Sequence, residues 1–281
     1  MNKLSLQDIS WVEAQRLRDA TNGVVLVPFA SIEGHGHHCP LGTDSWMAQA
    51  TTERAAERTG VPFTPLIPAG VSPQHLDGRP GTLTVREQIM IEYLHDVCRS
   101  LIANGWSKIV LVNGHEGNQP ALWNLLRRIK YETGALAIGL DIGVLMKTAV
   151  DDLIDNPPEE LPNWHASEIE TSLMLAIDPG LVTWPLAKAE YPHTPAIVKD
   201  APEFNQDAGF SKAIRFGAYQ VFMAQENADY STTSTVGNPE RASAEKGERI
   251  LERFVSYTAD LCEELKKLDV NVHTRAFTDR I

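Results

Sequence analysis

The sequence has few cysteines, few basic residues and no long apolar segment. Its three cysteines, Cys39, Cys98 and Cys262, are widely spaced and odd in number, so a disulfide framework is not indicated. The 25 lysines and arginines stand against 37 aspartates and glutamates, and a net charge of −12 argues against nucleic acid as a partner. No apolar run is long enough to span a bilayer, and the N-terminus lacks a signal-peptide pattern. These absences predict a cytoplasmic globular protein with no membrane partner.

Motifs for phosphate binding and for a serine nucleophile are also missing. The glycine-containing loops form neither a GxGxxG pattern nor a lysine-bearing phosphate loop. No GxSxG sequence surrounds Ser31 or Ser72, so neither serine is predicted to be a nucleophile.

Apolar runs alternate with amphipathic segments through the first half of the chain. This alternation predicts an α/β fold, a three-layer α/β/α sandwich with a mostly parallel central sheet, as a single domain over residues 1–281. Ser5 and Asp8 suggest a capping box at the first helix, and residues 178–237 are expected to be mostly long loops. The predicted strands are residues 24–30, 61–67, 107–113 and 135–143, and the predicted helices are residues 5–20, 44–58, 85–104, 119–132, 167–177 and 239–267.

Side chains that commonly bind metal ions follow two of the predicted strands. Glu33 and His35 follow the first strand, Asp44 opens the next helix, and His115 follows a later strand. Because ligands of open parallel sheets bind beyond the carboxyl ends of the strands, these four side chains are expected to converge. Glu170 lies on the apolar stripe of a later helix, where an unpaired carboxylate is costly, so it is the fifth candidate ligand.

The charges of these residue types favour a centre of two ions. Three carboxylates and one hydroxide would balance two divalent cations, and the imidazoles would add no charge. Mixed imidazole and carboxylate ligands suit zinc or manganese. The expected cofactors are therefore two divalent metal ions, Zn and/or Mn.

Four segments of the chain resemble, in order, the motifs of the creatininase (creatinine amidohydrolase) family: "SIEGHGHHCPLGTD", "GRPGTLT", "LVNGHEGN" and "HASEIETS". The resemblance covers about residues 24–177 and implies a metal-dependent hydrolase with an α/β/α fold, commonly assembled as a homo-oligomer, a hexamer. Carried over by position, Glu33, Asp44 and His115 would hold one metal ion. His35, Asp44 and a second glutamate would hold the other, with Asp44 bridging.

The chain differs from the creatinine-cleaving members of that family at two places. Those members resemble this chain in the loop but carry a second-site glutamate two positions after the histidine, where this chain has Gly117, so Glu170 is expected to serve instead. The first motif usually reads proline, histidine, leucine where this chain has His37, His38 and Cys39; His38 matches a family histidine and His37 is extra. These differences point away from creatinine itself as the substrate.

The resemblance also implies a reaction on a small-molecule substrate. A hydroxide bridging the two ions would attack the carbonyl of a small cyclic amide and break a non-peptide C–N bond. His165 is the expected catalytic acid or base that passes a proton to the leaving group. Pocket walls are expected in residues 145–165 and 178–237. The expected substrate-binding residues are His37, His38, Cys39, His75, Glu116 and Trp164.

Two alternatives stay open at this point. The same metal centre could hydrolyse a C–C bond in a cyclic polyhydroxy diketone and so open an inositol-derived ring, and the polar groups of His37 and Cys39 would suit such a ligand. A protein of another class, which binds metal or a small molecule without catalysis, could also keep this scaffold; it would bind metal without turnover or lack one of the ligands.

Overall fold

A parallel three-stranded sheet forms the centre of the fold in the computed structural model, which describes residues 3–155, 164–206 and 213–273. The strands β1 (Val24–Phe29), β2 (Lys108–Asn113) and β3 (Leu136–Asp141) lie in that order. All residues of β1 and β2 are buried. Since successive side chains of a strand point to opposite faces, both faces of the sheet are covered. The predicted α/β fold with a mostly parallel central sheet is confirmed.

The helices pack as two groups around this sheet. The helices are α1 (Trp11–Ala20), α2 (Thr43–Thr59), α3 (Glu87–Ala103), α4 (Gln119–Thr133), α5 (Ile142–Thr148), α6 (Glu168–Ile177) and α7 (Ala244–Lys266). α2, α6 and α7 contact one another, and α2 and α7 also contact β1; α3 and α4 contact each other, and α4 contacts β3. Among the described residues, each helix is too short or too polar to cross a lipid bilayer.

Local sequence signals explain where several helices begin and end. The hydroxyl of Ser10 accepts from the backbone N–H of Glu13, while the Glu13 carboxylate accepts from the Ser10 N–H, which is a capping box at the start of α1. The prediction of this box at Ser5 and Asp8 is wrong, because the three residues after Ser5 form a short 3-10 turn without a side-chain cap. α2 ends at Gly60, whose φ of 71° favours glycine.

The predicted strand at residues 61–67 is also corrected. This segment runs beside β1 but makes only isolated bridges to it, through Phe63 and Ile67. Pro62 and Pro65 lack the N–H groups that a continuous ladder of hydrogen bonds requires.

The segment 178–237 contains more regular structure than its sequence indicates. An antiparallel sheet of three short strands, β4 (Phe204–Gln206), β5 (Ala213–Phe216) and β6 (Tyr219–Phe222), forms there. Residues 207–212 lie outside the described part of the chain. The chain that follows β6 becomes a wall of the cavity described below.

The topology brings three separate segments to one edge of the parallel sheet. β1 and β2 end side by side, with Phe29 opposite Asn113, so the loops that follow them leave the sheet together. α6 reaches the same place by packing on α7. A Cβ on Gly247 of α7 would lie 1.8 Å from the carbonyl oxygen of Ser172 in α6, so the two backbones touch there.

Candidate functional site

Five acidic and histidine side chains from three segments meet at this edge of the sheet. His35 Nε2 lies 3.1 Å from Asp44 Oδ1 and 3.7 Å from Glu170 Oε2. His115 Nδ1 lies 3.0 Å from Asp44 Oδ2 and 3.3 Å from Glu33 Oε2. All five residues are buried. Their atoms form two sets that share Asp44, each with its atoms within 4.8 Å of one another: Glu33, Asp44 and His115, and His35, Asp44 and Glu170.

Close backbone packing places these side chains. Asp44 lies in the first turn of α2 and Glu170 in the first turn of α6, where a negative charge is favoured by the helix dipole. Gly114, which follows β2, lies against the start of α2; a Cβ there would meet the Asp44 carbonyl oxygen at 2.4 Å. The glycine therefore allows His115 to reach the carboxylate of Asp44.

His35 is oriented as a histidine that binds a cation. Its Nδ1 lies 3.1 Å from the carbonyl oxygen of Glu33, which can only accept a hydrogen bond, so Nδ1 carries a proton. In the neutral imidazole the lone pair of Nε2 then faces Asp44 and Glu170. Within the described part of the chain, neither His35 Nε2 nor Asp44 Oδ2 has a hydrogen-bond partner, although both are buried.

His115 has the same arrangement with its ring nitrogens exchanged. Its Nε2 lies 3.2 Å from the carbonyl oxygen of Val71 and donates to it, so the lone pair of Nδ1 faces Glu33 and Asp44. Histidines that bind metal ions usually donate their other N–H to a carbonyl or carboxylate in this way. Lone pairs pointed at carboxylate oxygens are unfavourable unless a proton or a metal ion lies between them, and the mixed imidazole and carboxylate atoms of both sets suit a divalent metal ion.

The charges of the cluster shift its pKa values in the absence of a cation. Burial disfavours the charged form of His35, but the carboxylates of Asp44 and Glu170 outweigh it and raise the pKa of His35 to about 10. Burial raises the pKa of Glu170. Burial would also raise the pKa of Asp44, but His35 and His115 hold it below its usual range. The site therefore carries excess negative charge that a proton or a metal ion must neutralise.

His165, the predicted acid or base, lies directly over this cluster. Its ring centroid is 4.3 Å from that of His35 and 5.0 Å from that of His75. Its Nε2 lies 2.8 Å from the Gly34 carbonyl oxygen and donates to it. Burial, together with the neighbouring histidines, holds the pKa of His165 well below its usual value, so the ring is neutral. Ala166, with a left-handed φ of 47°, turns the chain from His165 into α6.

A cavity of about 580 Å³ opens onto the ligand cluster. Three of the predicted substrate-binding residues line it, namely His75, Glu116 and Trp164. His75 Nε2 lies 3.2 Å from Glu33 Oε1, and Glu116 is paired with Lys147 at 3.2 Å. The expected wall segments 145–165 and 178–237 contribute Met146, Lys147, Trp164, His165, Met223, Ala224, Gln225, Glu226, Asp229 and Tyr230, and residues 156–163 lie outside the described chain.

The other three predicted substrate-binding residues are placed elsewhere. His37 is exposed to solvent. His38 is buried with its Nε2 2.9 Å from Thr171 Oγ1, and Cys39 Sγ lies 3.7 Å from the same hydroxyl. Among the described residues that line the cavity, none of the three is present. The side chains of His38 and Cys39 point to Thr171 of α6 instead of the cavity.

Sequence reasoning missed the polar residues that support the ligands. Asn113 Nδ2 donates to the His115 carbonyl and to Asp141 Oδ2, both at 2.7 Å. Asn118 Oδ1 accepts from the Val71 N–H at 2.8 Å, which holds the loop that Val71 belongs to against the loop of His115. An asparagine that ends a buried strand was the available signal, since its amide must find partners there.

The profile of the creatininase family, described as creatinine amidohydrolase, matches residues 7–262. The chain belongs to the creatininase family. The recognition made from the four motifs is therefore confirmed, and the match extends well beyond them.

Named relatives of this creatininase-family chain are all hydrolases. Creatinine amidohydrolase of Pseudomonas putida is 28% identical over 275 residues, which cover 92% of this chain and 95% of the relative. The mycofactocin precursor peptide peptidase of Mycolicibacterium smegmatis is 31% identical over 246 residues, 84% of this chain and 83% of the relative. The 3-dehydro-scyllo-inosose hydrolase of Thermotoga maritima is 31% identical over 158 residues, 56% of this chain and 50% of the relative. This chain is likewise a hydrolase.

Solved creatininase structures share the fold. A creatininase variant in a Zn–Zn form is 27% identical, with a TM-score of 0.74 over 95% of this chain and all of that chain. A manganese form is 26% identical, also with a TM-score of 0.74 and a coverage of 95% of this chain. These forms and the clustered ligand atoms of this chain together support divalent metal binding.

This creatininase-family chain has no room for a side chain at position 117. A Cβ on Gly117 would lie 2.2 Å from His115 Nε2 and 2.5 Å from the Val71 carbonyl oxygen. Glu170 instead approaches His35 from α6. Glu170, which was expected to replace a glutamate at position 117, thus supplies the carboxylate of the second set of candidate ligand atoms.

Proposed function

We propose that this protein binds two divalent cations, Zn²⁺ and/or Mn²⁺, and hydrolyses a C–N bond in a small cyclic amide. The observation that carries the proposal is the convergence of five buried ligand side chains into two sets with Asp44 in common. When bound, such cations supply water that is reactive near neutral pH and an electrophile for the carbonyl oxygen. Glu33, Asp44 and His115 would hold one cation, and His35, Asp44 and Glu170 would hold the other.

His165 would carry the proton in this reaction. Its Nε2–H is committed to the Gly34 carbonyl, which leaves Nδ1 to exchange a proton. Because burial keeps the imidazole neutral, Nδ1 can accept a proton from the attacking water. The same nitrogen then donates that proton to the departing amine.

The cavity walls would select the substrate. Trp164, Met146 and Met223 present apolar surface, and the pair of Glu116 and Lys147 adds charged groups. The Pseudomonas putida relative, which matches almost the whole chain, acts on a cyclic amide, creatinine, and this supports the same bond class here. Gly117 in place of a glutamate favours a cyclic amide other than creatinine.

A C–C bond in a carbon ring is the second candidate, because one relative is an inosose hydrolase. That relative matches only about half of either chain. The polar residues that made this alternative attractive, His37 and Cys39, are not among the described residues that line the cavity. The C–N bond is therefore the better supported of the two.

A substrate panel tests the proposal. Protein is stripped with a chelator, loaded with Zn²⁺ or Mn²⁺ and incubated with cyclic amides and ureides, oxidised inositols and short peptides, and the products are identified by mass spectrometry. We expect ring-opened products of a cyclic amide, formed only by the loaded protein. Equal turnover by the stripped protein, or ring opening of an inositol derivative without any amide cleavage, would contradict the proposal.

By the same family resemblance we propose one catalytic domain over residues 1–281 and a homo-oligomer, a hexamer. Trp11 is 77% exposed, Trp123 65% and Tyr131 74%, which leaves large apolar side chains on the surface of one chain. Light scattering after size-exclusion chromatography measures the mass directly, and a single 31.0 kDa species would rule the oligomer out.

A further inference from the structure

Two buried serines connect a pair of candidate ligands behind the site. Ser31 Oγ lies 2.7 Å from Glu33 Oε2 and 2.5 Å from Ser72 Oγ. Ser72 Oγ lies 3.2 Å from His115 Nε2. Both serines are fully buried, and neither is among the described residues that line the cavity. They touch two ligands without reaching the substrate.

Donors and acceptors in this chain of hydrogen bonds can be assigned in one direction only. The Glu33 carboxylate is an acceptor, so Ser31 gives its single proton to Glu33. Ser31 Oγ must then accept from Ser72, whose own proton is thereby used. Ser72 Oγ is left as an acceptor and shares the Nε2–H of His115 with the Val71 carbonyl oxygen.

This direction has a consequence for the His115 ring. With the proton on Nε2, the Nδ1 lone pair points at Glu33 and Asp44, which is the form that binds a cation. The opposite tautomer would place an N–H there. Ser72 would then donate to Nε2 and Ser31 to Glu33, with no proton left between the two serine oxygens. The Val71 carbonyl, also 3.2 Å from Nε2, favours the same tautomer.

We propose that Ser31 and Ser72 are positioning residues that fix the tautomer and orientation of His115 and the carboxylate of Glu33. Their hydroxyls strengthen the binding of the cation held by Glu33, Asp44 and His115. This inference rests on the proposed function, because it assumes that these three side chains hold a cation. The serines themselves take no part in the bond cleavage.

The test is the Zn²⁺ dissociation constant of Ser72→Ala and Ser31→Ala, measured by competition with a chromogenic chelator. We expect each variant to bind the ion about 10-fold more weakly, the lower end of the loss typical when a ligand loses a hydrogen-bond partner, because the Val71 carbonyl still accepts from His115. The double variant should cost little more than the worse single one, because both substitutions break the same chain of hydrogen bonds. Ser5→Ala is the matched control; its hydroxyl is buried and has no partner among the residues that the structure describes, so Zn²⁺ affinity should stay unchanged.

Nuclear magnetic resonance of the Zn²⁺-loaded wild type gives a readout that does not depend on a variant folding. We expect the ¹⁵N shifts of His115 to show Nε2 protonated, with a proton that exchanges slowly, and this protection should decrease in Ser72→Ala. A proton on Nδ1 would overturn the inference.

The same measurements distinguish failure of the serine inference from failure of the proposed function. If the wild type binds Zn²⁺, Asp44→Asn does not, and both serine variants bind like the wild type, the serine inference alone fails. If the wild type and Asp44→Asn bind Zn²⁺ equally, the proposed function itself fails.

Discussion

Asp44 is the residue that both candidate cation sites share. Its two carboxylate oxygens face different histidines, His35 through Oδ1 and His115 through Oδ2. A carboxamide keeps the shape of this side chain but has one oxygen and no charge. Substitution at this position therefore acts on both sites at once.

We expect Asp44→Asn to lose cation binding by more than the roughly 10- to 100-fold that loss of a supporting partner costs. Turnover of any identified substrate should fall with it. Metal content after dialysis, measured by plasma mass spectrometry, checks the result. Asp152→Asn, which removes the charge of a surface carboxylate paired with Arg253, is the control and should keep its metal. Full occupancy in Asp44→Asn would contradict the shared site.

Gly117 gives a second prediction at this scale. The added methyl of Gly117→Ala would meet His115 Nε2 at 2.2 Å and the Val71 carbonyl oxygen at 2.5 Å, so the His115 ring must move. We expect a loss of Zn²⁺ affinity, measured by chelator competition. Gly42→Ala, whose methyl meets its neighbours at no less than 3.6 Å, should bind as tightly as the wild type. Equal affinities of the two variants would show that His115 does not need its observed position.

The sequence indicates which residues converge but not how each side chain points. Glu33, His35, Asp44 and His115 were predictable because strand ends and helix starts fix where they lie. His37, His38 and Cys39 were not, because a long loop leaves side-chain direction to tertiary contacts such as the one between His38 and Thr171. The contact between Ser31 and Ser72 could not be predicted for the same reason, since the two serines are 41 positions apart in the chain.

The start of α6 depends on an ion pair with the start of α7. Glu168 is fully buried and pairs with Lys246 of α7, which also contacts Asp155 Oδ2 at 2.7 Å and the Arg241 carbonyl oxygen at 2.8 Å. Glu170 lies in the same first turn of α6 as Glu168. Contacts between two helices thus hold one of the candidate ligands in place.

We expect Lys246→Met to lower the free energy of unfolding by about 3–5 kcal/mol, because it removes one partner of a buried ion pair with Glu168. Urea denaturation followed by circular dichroism measures the change. Lys188→Met removes a pair with Glu240 in which the lysine side chain is 71% exposed, so no measurable change is expected there. Equal stability of the two variants would mean that Glu168 is compensated in another way.

At the scale of elements, periodicity was most informative for long segments. α2, α3, α4, β1 and β2 lie where their patterns predict. The small sheet of β4, β5 and β6 was missed, because strands of three or four residues carry too little alternation to stand out from loops.

The whole molecule should be more stable with its cations than without them. Each ion that binds only the folded chain stabilises it by about 2.7 kcal/mol at a free concentration 100 times its dissociation constant. We therefore expect chelator treatment to lower the thermal midpoint and added Zn²⁺ or Mn²⁺ to restore it, with two ions bound per chain by titration calorimetry. An unchanged midpoint, or one ion per chain, would contradict a two-cation centre.

At this scale the sequence was sufficient to predict the fold class and the family but not the substrate. Alternating strands and helices, few cysteines and four ordered motifs were enough for an α/β hydrolase of the creatininase family. The cavity wall from Met223 to Tyr230 follows the small sheet, so its shape depends on packing that no local pattern records. Relatives named for creatinine, an inosose and a peptide show that the substrate varies widely among chains similar in sequence.

The two sets of ligand atoms come from unequal stretches of the chain. All residues of one set lie between Glu33 and His115 in the sequence. The other set also needs Glu170, which lies on α6, a helix that packs on the last helix, α7. If two cations bind as proposed, the first could be captured as the polypeptide emerges during synthesis, while the second site is still incomplete. Unfolding that starts at the last helix would reverse that order and release the second ion first.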